Sequence, residues 1–329
     1  MKKVLITGGA GFIGYHLANK LLGSDYQIDL LDNFTRGLND TFLTELADNH
    51  NVNLINTDLL QFTTTDQLGH DYAYIYHLAA VIGVQHVLKS PYNVLVKNFS
   101  LLQNALEIAR RQKNLERFVF TSTSEVYAGT LSYYGLEFPT PESTPLMVSN
   151  PHEARSSYML SKIYGEVMCL HSSLPVTIIR PHNFYGPRMG FSHVIPELMK
   201  KGVYAENGVV DVFSVNHKRT FCYIADAVQM IQLLAESNQT IRESYNIGSD
   251  NEEITMGELA QKIIDLVGED VVINPMSATP GSPERRCPSI NELKEAIPYV
   301  KQYPLEKGLR NTFDWYNANV FSGEEVSAI

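Results

Sequence analysis

The chain holds 329 residues, 44% of them hydrophobic and 19% charged, with a net charge of -10 and an isoelectric point near 5.5. That length exceeds one simple core and suits a large α/β domain with a smaller lobe. The acidic balance excludes a general nucleic-acid binder, which needs a basic surface.

The first predicted element is a strand at Val4-Leu5-Ile6, entered directly from Met1-Lys2-Lys3 with no separate apolar region or cleavage site, so no signal peptide is expected. Thr7-Gly8-Gly9-Ala10-Gly11-Phe12-Ile13-Gly14 follows and opens a helix over 12–22. Glycines spaced three apart at such a turn predict a dinucleotide. Gly8 allows the tight turn and Gly11 lets backbone N–H groups approach a pyrophosphate. Gly14 lets the helix pack closely on the sheet, and Phe12 and Ile13 start the helix whose N-terminus favours negative charge. Glycine turns also arise for purely steric reasons, so the next strand matters. It runs over 28–31 and ends in Asp32, followed by Asn33. A carboxylate there accepts hydrogen bonds from an adenosine ribose diol and repels a 2′-phosphate, which points to NAD rather than NADP. Arg36, in the loop beyond, is a cation able to soften that preference.

Further strands are expected at 53–56, 74–78, 117–122 and 177–180, with helices at 93–112 and 158–172. This alternation implies a parallel sheet with helices on both faces. Leu101, Leu102, Ala105, Leu106, Ile108 and Ala109 form a stripe broad enough for packing on the sheet or for a dimer contact. After Arg180 the pattern changes to shorter elements: a turn-rich segment at 183–188, helices at 193–201, 225–236 and 256–267, and a strand at 209–214. The stretch from Pro275 to Pro288, with four prolines and two adjacent arginines, reads as an ordered loop over a site. No apolar run reaches about eighteen residues, so no membrane-spanning helix is expected. Cys169, Cys222 and Cys287 lie too far apart for a zinc set or a disulfide framework, which fits a reducing cytoplasm. No cluster of His, Asp and Glu has metal-ligand spacing, so no metal is expected.

The chemistry points to Thr121-Ser122-Thr123-Ser124-Glu125, beyond a central strand, together with Tyr158 and Lys162. Tyr158 and Lys162 are four apart and share one helix face. An ammonium there is expected to lower the phenol pKa, so that Tyr158 takes a proton from a sugar hydroxyl while hydride leaves for NAD. Tyr-x-x-x-Lys also occurs on ordinary amphipathic helices, and Glu125 reads equally as a carboxylate bonding backbone N–H groups at a helix start. His16 and His171 read as helix-surface residues, His77 as a packing residue near the cofactor, and His193 as a surface residue at a helix start.

Taken together, these residues resemble an extended short-chain dehydrogenase/reductase of the NAD-dependent nucleotide-sugar epimerase/dehydratase/decarboxylase branch. The landmarks are the glycine turn, Asp32, Asp58-Leu59, His77-Leu78-Ala79-Ala80, Asn98, Ser122 to Tyr127, Tyr158 with Lys162, Arg180-Pro181, Asn183, Tyr185-Gly186-Pro187 and Arg219-Thr220-Phe221. The resemblance implies a Rossmann-type doubly wound parallel sheet, residues 1–180, with a smaller C-terminal α/β substrate lobe, 181–329. Segments such as 215–248 are expected to return to the first domain. It implies NAD contacts at Asp58, Leu59, Leu78, Ala79, Ala80 and Asn98, and nucleotide-sugar contacts at Asn183, Arg219 and Arg286. It further implies a homodimer and a first step that oxidises the sugar at C4. Thr123-Ser124-Glu125 is similar to the Thr-Ser-Glu of UDP-glucuronate decarboxylases, as are Arg155, three residues before the tyrosine, and Arg286-Cys287-Pro288-Ser289-Ile290. In that group the arginine manages the carboxyl and the enolate left behind; it reads equally as a diphosphate clamp. Two departures stand out, a longer loop between Tyr127 and Tyr158 and Ala128 where a glycine is usual. Segment 189–196 resembles members of polysaccharide gene clusters. Dehydration and 4-epimerisation therefore remain alternatives, as does an NAD-sensing binding protein, although such proteins typically lack the tyrosine or lysine kept here.

Overall fold

A computed structural model describes residues 1–61, 68–268, 270–278 and 282–322. Seven strands form the main sheet: β1 (Lys2–Thr7), β2 (Tyr26–Asp32), β3 (Val52–Asn56), β4 (Tyr72–His77), β5 (Arg117–Thr121), β6 (Val176–Pro181) and β7 (Ser244–Ile247). The sheet is parallel throughout and ordered β7-β6-β5-β4-β1-β2-β3. The chain starts at β1, moves outward to β3, then crosses back to pair β4 with β1. That reversal opens a crevice beyond the carboxyl ends of β1 and β4, the usual ligand position in a doubly wound sheet.

Six helices matter for the site: α1 (Phe12–Leu22), α2 (Thr41–Ala47), α3 (Pro91–Arg110), α4 (Arg155–Leu170), α5 (Val194–Val203) and α6 (Ile224–Glu236). Strand side chains alternate between two cores. Val4, Ile6, Ile28 and Leu30 face α1 and α6, whereas Leu5, Leu31, Ile75, Phe118 and Phe120 face α3 and α4. The near-continuous apolar runs in these strands follow from burial on both faces.

The stripe on α3 is consumed by this second core. Leu101, Leu102, Ala105, Leu106, Ile108 and Ala109 are all buried, because α3 touches both the sheet and the neighbouring α4. It is not a dimer contact. The exposed apolar side chains are Tyr92, Val96 and Phe99 on α3, with Tyr164 and Val167 on α4.

Helix α4 begins at Arg155, three residues before the expected start. Ser156 donates its hydroxyl to Asn150 O at 2.6 Å and Ser157 to Ala154 O at 2.7 Å, and these bonds fold the first turn early. Residues 182–243 leave the sheet after β6, contribute α5 and α6, and rejoin it at β7. The smaller lobe holds short strands, among them 218–219 pairing with 254–255 and 285–286. The proline-rich stretch lies between the strands Val272–Met276 and Arg285–Arg286, with residues 279–281 outside the described part.

Candidate active site

At the end of β1, Gly8 takes φ +75°, and a Cβ there would lie 2.9 Å from Ala79 N. Its N–H donates to Leu31 O at 2.8 Å. Gly11 caps α1 with extended backbone and no side-chain bond, so the N–H groups at Phe12 and Ile13 receive no side-chain cap. A Cβ on Gly14 would collide with the Gly8 carbonyl and stand 2.8 Å from Gly9 Cα. The close approach is therefore of the helix to the turn itself rather than to the sheet. A bare helix N-terminus behind a turn with no side-chain bulk fits a diphosphate.

Asp32 is buried at the tip of β2. Its carboxylate accepts from Ala10 N at 3.1 Å and Phe34 N at 2.8 Å, and burial pushes its pKa up while those bonds pull it down. Asn33 is exposed and its side chain accepts from Thr35 N. Beyond β3, Asp58 accepts from Leu60 N at 2.9 Å, and Leu59 is buried with its carbonyl on Asn104. Beyond β4, Leu78 N donates to Thr7 O and Ala79 N to the Thr7 hydroxyl, so Leu78, Ala79 and Ala80 border the glycine turn. Asn98 bonds both backbone groups of Val81, at 2.7 and 3.1 Å, and the Ser161 hydroxyl on α4 at 3.2 Å. It thus braces the loop after β4 against the helix that carries Tyr158. His77 is buried against Phe118 and Phe120 and bonded to Thr7; burial holds it near pKa 3, hence neutral.

At the end of β5 the strand gives way to a 3₁₀ turn over Ser124–Tyr127. Its cap is Thr123, whose hydroxyl accepts from Glu125 N at 3.3 Å, so Glu125 is not the capping group. Ser124 is buried and Glu125 half-buried. Glu125 lies within electrostatic reach of both Tyr158 and Arg286, and Arg286 within reach of Arg155. The Thr123 hydroxyl hydrogen-bonds Tyr158.

Lys162 lies on the Tyr158 face of α4, but its effect differs from the expected one. Nζ donates to Thr121 O at 2.7 Å and stands 5.9 Å from the Tyr158 ring centre. Burial pushes the ammonium down to about 8. Burial also drives the Tyr158 phenol well above its ordinary range, with Glu125 adding to the rise and Thr123 and Arg36 opposing it. Helical spacing gives a shared face; it does not reveal that burial dominates both groups and that Thr123 and Arg36, not Lys162, draw the phenol down.

Sequence reasoning missed the polar network behind this surface. Ser122 donates to Glu166 at 2.5 Å, and Glu166 receives Arg180 at 3.0 and 2.7 Å. Arg180 also meets Tyr127, whose hydroxyl donates to Asn246. His182, held near pKa 3 by burial, bonds the same Asn246 oxygen, and the Asn246 N–H donates to Glu142, which burial pushes up to about 7. Glu166 lies on the face of Tyr158 and Lys162, two turns on, which is a readable signal. Glu142 and His182 have none.

On the lobe side, Asn183 takes φ +44° and bonds Thr220 O at 2.9 Å. Arg219 donates to Lys218 O at 2.7 Å and reaches Ser282 and Pro283; burial lowers it to about 10. Arg286 pairs in register with Arg219 on adjacent strands. His16 is half-buried rather than exposed. The segment after Tyr185 covers it, its Nε2 meets Pro187 O at 2.9 Å, and burial lowers it to about 4. Next to it, Arg188 is almost fully buried, paired with Asp40 at 2.9 Å and stacked over Tyr15 at 4.1 Å. Among the described residues no group of His, Cys, Asp or Glu could hold a metal, and no helix is long and apolar enough to cross a membrane.

A family model described as the NAD dependent epimerase/dehydratase family matches residues 4–248. UDP-N-acetyl-alpha-D-glucosaminuronate decarboxylase of Bacillus cytotoxicus is 30% identical over 96% of this chain and 98% of its own length. UDP-glucuronic acid decarboxylase 6 of Arabidopsis thaliana is 32% identical over 93% of this chain and 86% of its own. Among solved structures, UDP-glucuronic acid 4-epimerase from Bacillus cereus, in complex with UDP-glucuronic acid and NAD, superposes with a TM-score of 0.84. The two are 26% identical over 96% of this chain and 99% of that one.

Proposed function

Because the chain belongs to the NAD dependent epimerase/dehydratase family, whose members here are NAD-dependent nucleotide-sugar enzymes, we propose that it removes the C6 carboxyl of a UDP-linked uronic acid through a 4-keto intermediate. The observation that carries this reading is Glu125 within electrostatic reach of both Tyr158 and Arg286, with Arg155 within reach of Arg286. A plain 4-epimerase needs no carboxylate there.

NAD, when bound, would supply the two-electron acceptor, and later donor, for the hydrogen on C4. Tyr158 takes the proton of the C4 hydroxyl at its phenolic oxygen, and Thr123 holds the same oxygen. Lys162, anchored on Thr121 O, places its cation on the Tyr158 face of α4, and Ser124 shapes the turn beneath the sugar. Once C4 is a ketone the sugar is a β-keto acid. The C5–C6 bond breaks, CO₂ leaves, and the electron pair passes to the C4 oxygen as an enolate. Arg286, with Arg155 behind it, stabilises the carboxylate and the charge that replaces it. Glu125, in its acid form, gives C5 the proton that replaces the lost CO₂ as the enolate collapses to the 4-ketone, an acid–base step of the kind worth about 10²–10⁴ in rate. Asp32, Asn33, the glycine turn, Asp58, Leu59 and residues 78–80 hold NAD, with Asn98 bracing them. Asn183 and Arg219 hold the nucleotide diphosphate, in a lobe spanning mainly 181–329.

Incubating the purified chain with UDP-glucuronate, UDP-N-acetylglucosaminuronate, UDP-glucose and dTDP-glucose and weighing the products tests this. Loss of one CO₂ from a uronate is expected. Loss of one water from a neutral sugar, or unchanged mass with altered retention, would replace the reading with dehydration or epimerisation. Tyr158→Phe should abolish turnover and leave NAD affinity within a few-fold; unchanged turnover overturns the assigned base. The exposed face of α3 and α4, where Phe99 and Tyr164 touch at 5.7 Å, supports a homodimer through these helices. Three buried free cysteines support a reducing compartment, the cytoplasm, and the nucleotide sugar a role in polysaccharide synthesis.

A further inference from the structure

The loop between β2 and α2 is fixed at both ends and in the middle. Phe34 N bonds the Asp32 carboxylate at 2.8 Å, Leu38 N bonds Ala10 O at 3.3 Å, and Asp40 holds buried Arg188 through two bonds at 2.9 and 3.0 Å. Gly37 sits so close to the turn that a Cβ would lie 2.6 Å from the Ala10 Cβ. From this rigid base Arg36 extends an exposed side chain to Ile82 O, beyond the end of β4, at 3.3 Å.

The sheet order makes that contact informative. β1 lies between β2 and β4. A side chain rooted beyond β2 and ending beyond β4 spans the carboxyl end of β1, from which the Gly8–Gly14 turn and the start of α1 continue. It also comes within electrostatic reach of Tyr158 and His193. Its guanidinium is thus carried away from the Asp32 carboxylate, where a 2′-phosphate would lie. The single bond to Ile82 is long and solvent-exposed, at the weak edge of hydrogen-bond geometry. A phosphate oxygen offers the same donors a shorter, charge-assisted bond.

We propose that Arg36 is a clasp that closes over the diphosphate of the bound dinucleotide and slows its departure, rather than a reader of the adenosine 2′-position. The inference rests on NAD binding at the glycine turn. It gives the loop a purpose in a reaction that removes hydrogen from the sugar and later returns it, since the cofactor must stay in place between the two steps.

The test compares the full-length wild type with Arg36→Met and Arg36→Lys, stripped of nucleotide, by calorimetry with NAD⁺, ADP-ribose, adenosine and NADP⁺. Arg36→Met should weaken NAD⁺ and ADP-ribose alike by about 10- to 100-fold, leave adenosine unchanged and flatten the salt dependence, with Arg36→Lys intermediate. Stopped-flow release of NADH should quicken in parallel. Equal NAD⁺ affinity in wild type and Arg36→Met overturns the clasp, as does an effect on NADP⁺ alone or an equal loss for adenosine. A wild type that binds none of these overturns the cofactor reading and the clasp together.

Discussion

Replacing Lys162 with methionine should raise the stability of the folded chain relative to wild type at neutral pH while eliminating turnover. Lys162 is 4% exposed, and burial holds its ammonium pKa near 8 against an ordinary value of 10.5. That gap corresponds to about 3 kcal/mol of folding free energy withheld while the group stays protonated. Methionine keeps the volume but strands Thr121 O, which loses a 2.7 Å bond at a cost of about 1–3 kcal/mol. At pH 7 the variant should therefore lie between parity and about 2 kcal/mol more stable. The sign of the pH dependence is more telling. Between pH 8 and 10.5 the unfolded chain keeps a proton that the folded chain has released, so wild-type stability rises with pH through that window and is lowest below it. The slope approaches about 1.4 kcal/mol per pH unit. Lys162→Met lacks this term. Urea unfolding of both proteins from pH 7 to 10.5 isolates it, because other titrating groups cancel in the difference. Parallel curves, or a wild type that loses stability against the variant as pH rises, would refute the reasoning.

Gly14→Ala should lower NAD⁺ affinity at least about 100-fold in calorimetry while costing only about 1–3 kcal/mol of stability, since the added methyl meets the Gly8 carbonyl and displaces the start of α1. Asp40→Asn leaves the Arg188 guanidinium buried without its charge partner, and urea unfolding should show a loss of about 3–5 kcal/mol. Phe99→Glu puts a charge on the exposed face of α3 and should halve the mass seen by light scattering; an unchanged mass argues against a dimer through that face.

The parts legible in the sequence are those whose signals are local. The glycine turn, the acid ending β2 and the four-residue spacing of Tyr158 and Lys162 each sit within one or two elements, and the strands β1 to β6 announce themselves by apolar runs bounded by turns. The remainder depends on contacts between distant segments. His16 reads as a surface residue from helical periodicity because nothing near it in sequence says that Pro187 will cover it. Arg36 reads as a neighbour of Asp32, and only the sheet order sends it across to Ile82. The α3 stripe is wide because two neighbours, the sheet and α4, bury it. The rise in the Tyr158 pKa depends on how much water the fold excludes, and residue spacing carries no record of that.

The return of the chain at β7 has a consequence for dissecting this protein. Ile178 N bonds Glu243 O at 2.9 Å and His182 N bonds Ile247 O at 2.8 Å, so the outer rim of β6 is sealed by residues that come after the lobe insertion. A fragment ending near 181 would bare unpaired backbone groups at Val176 and Ile178, whose partners are Arg242 N and Glu243 O, an open template for strand pairing between chains. It would also lose α6, and with it the cover over Val4, Ile6 and Leu17. The chain before and after residue 181 is therefore not two foldable pieces: the last strand of the seven-stranded sheet is made only after residues 182–243 have been threaded out and brought back.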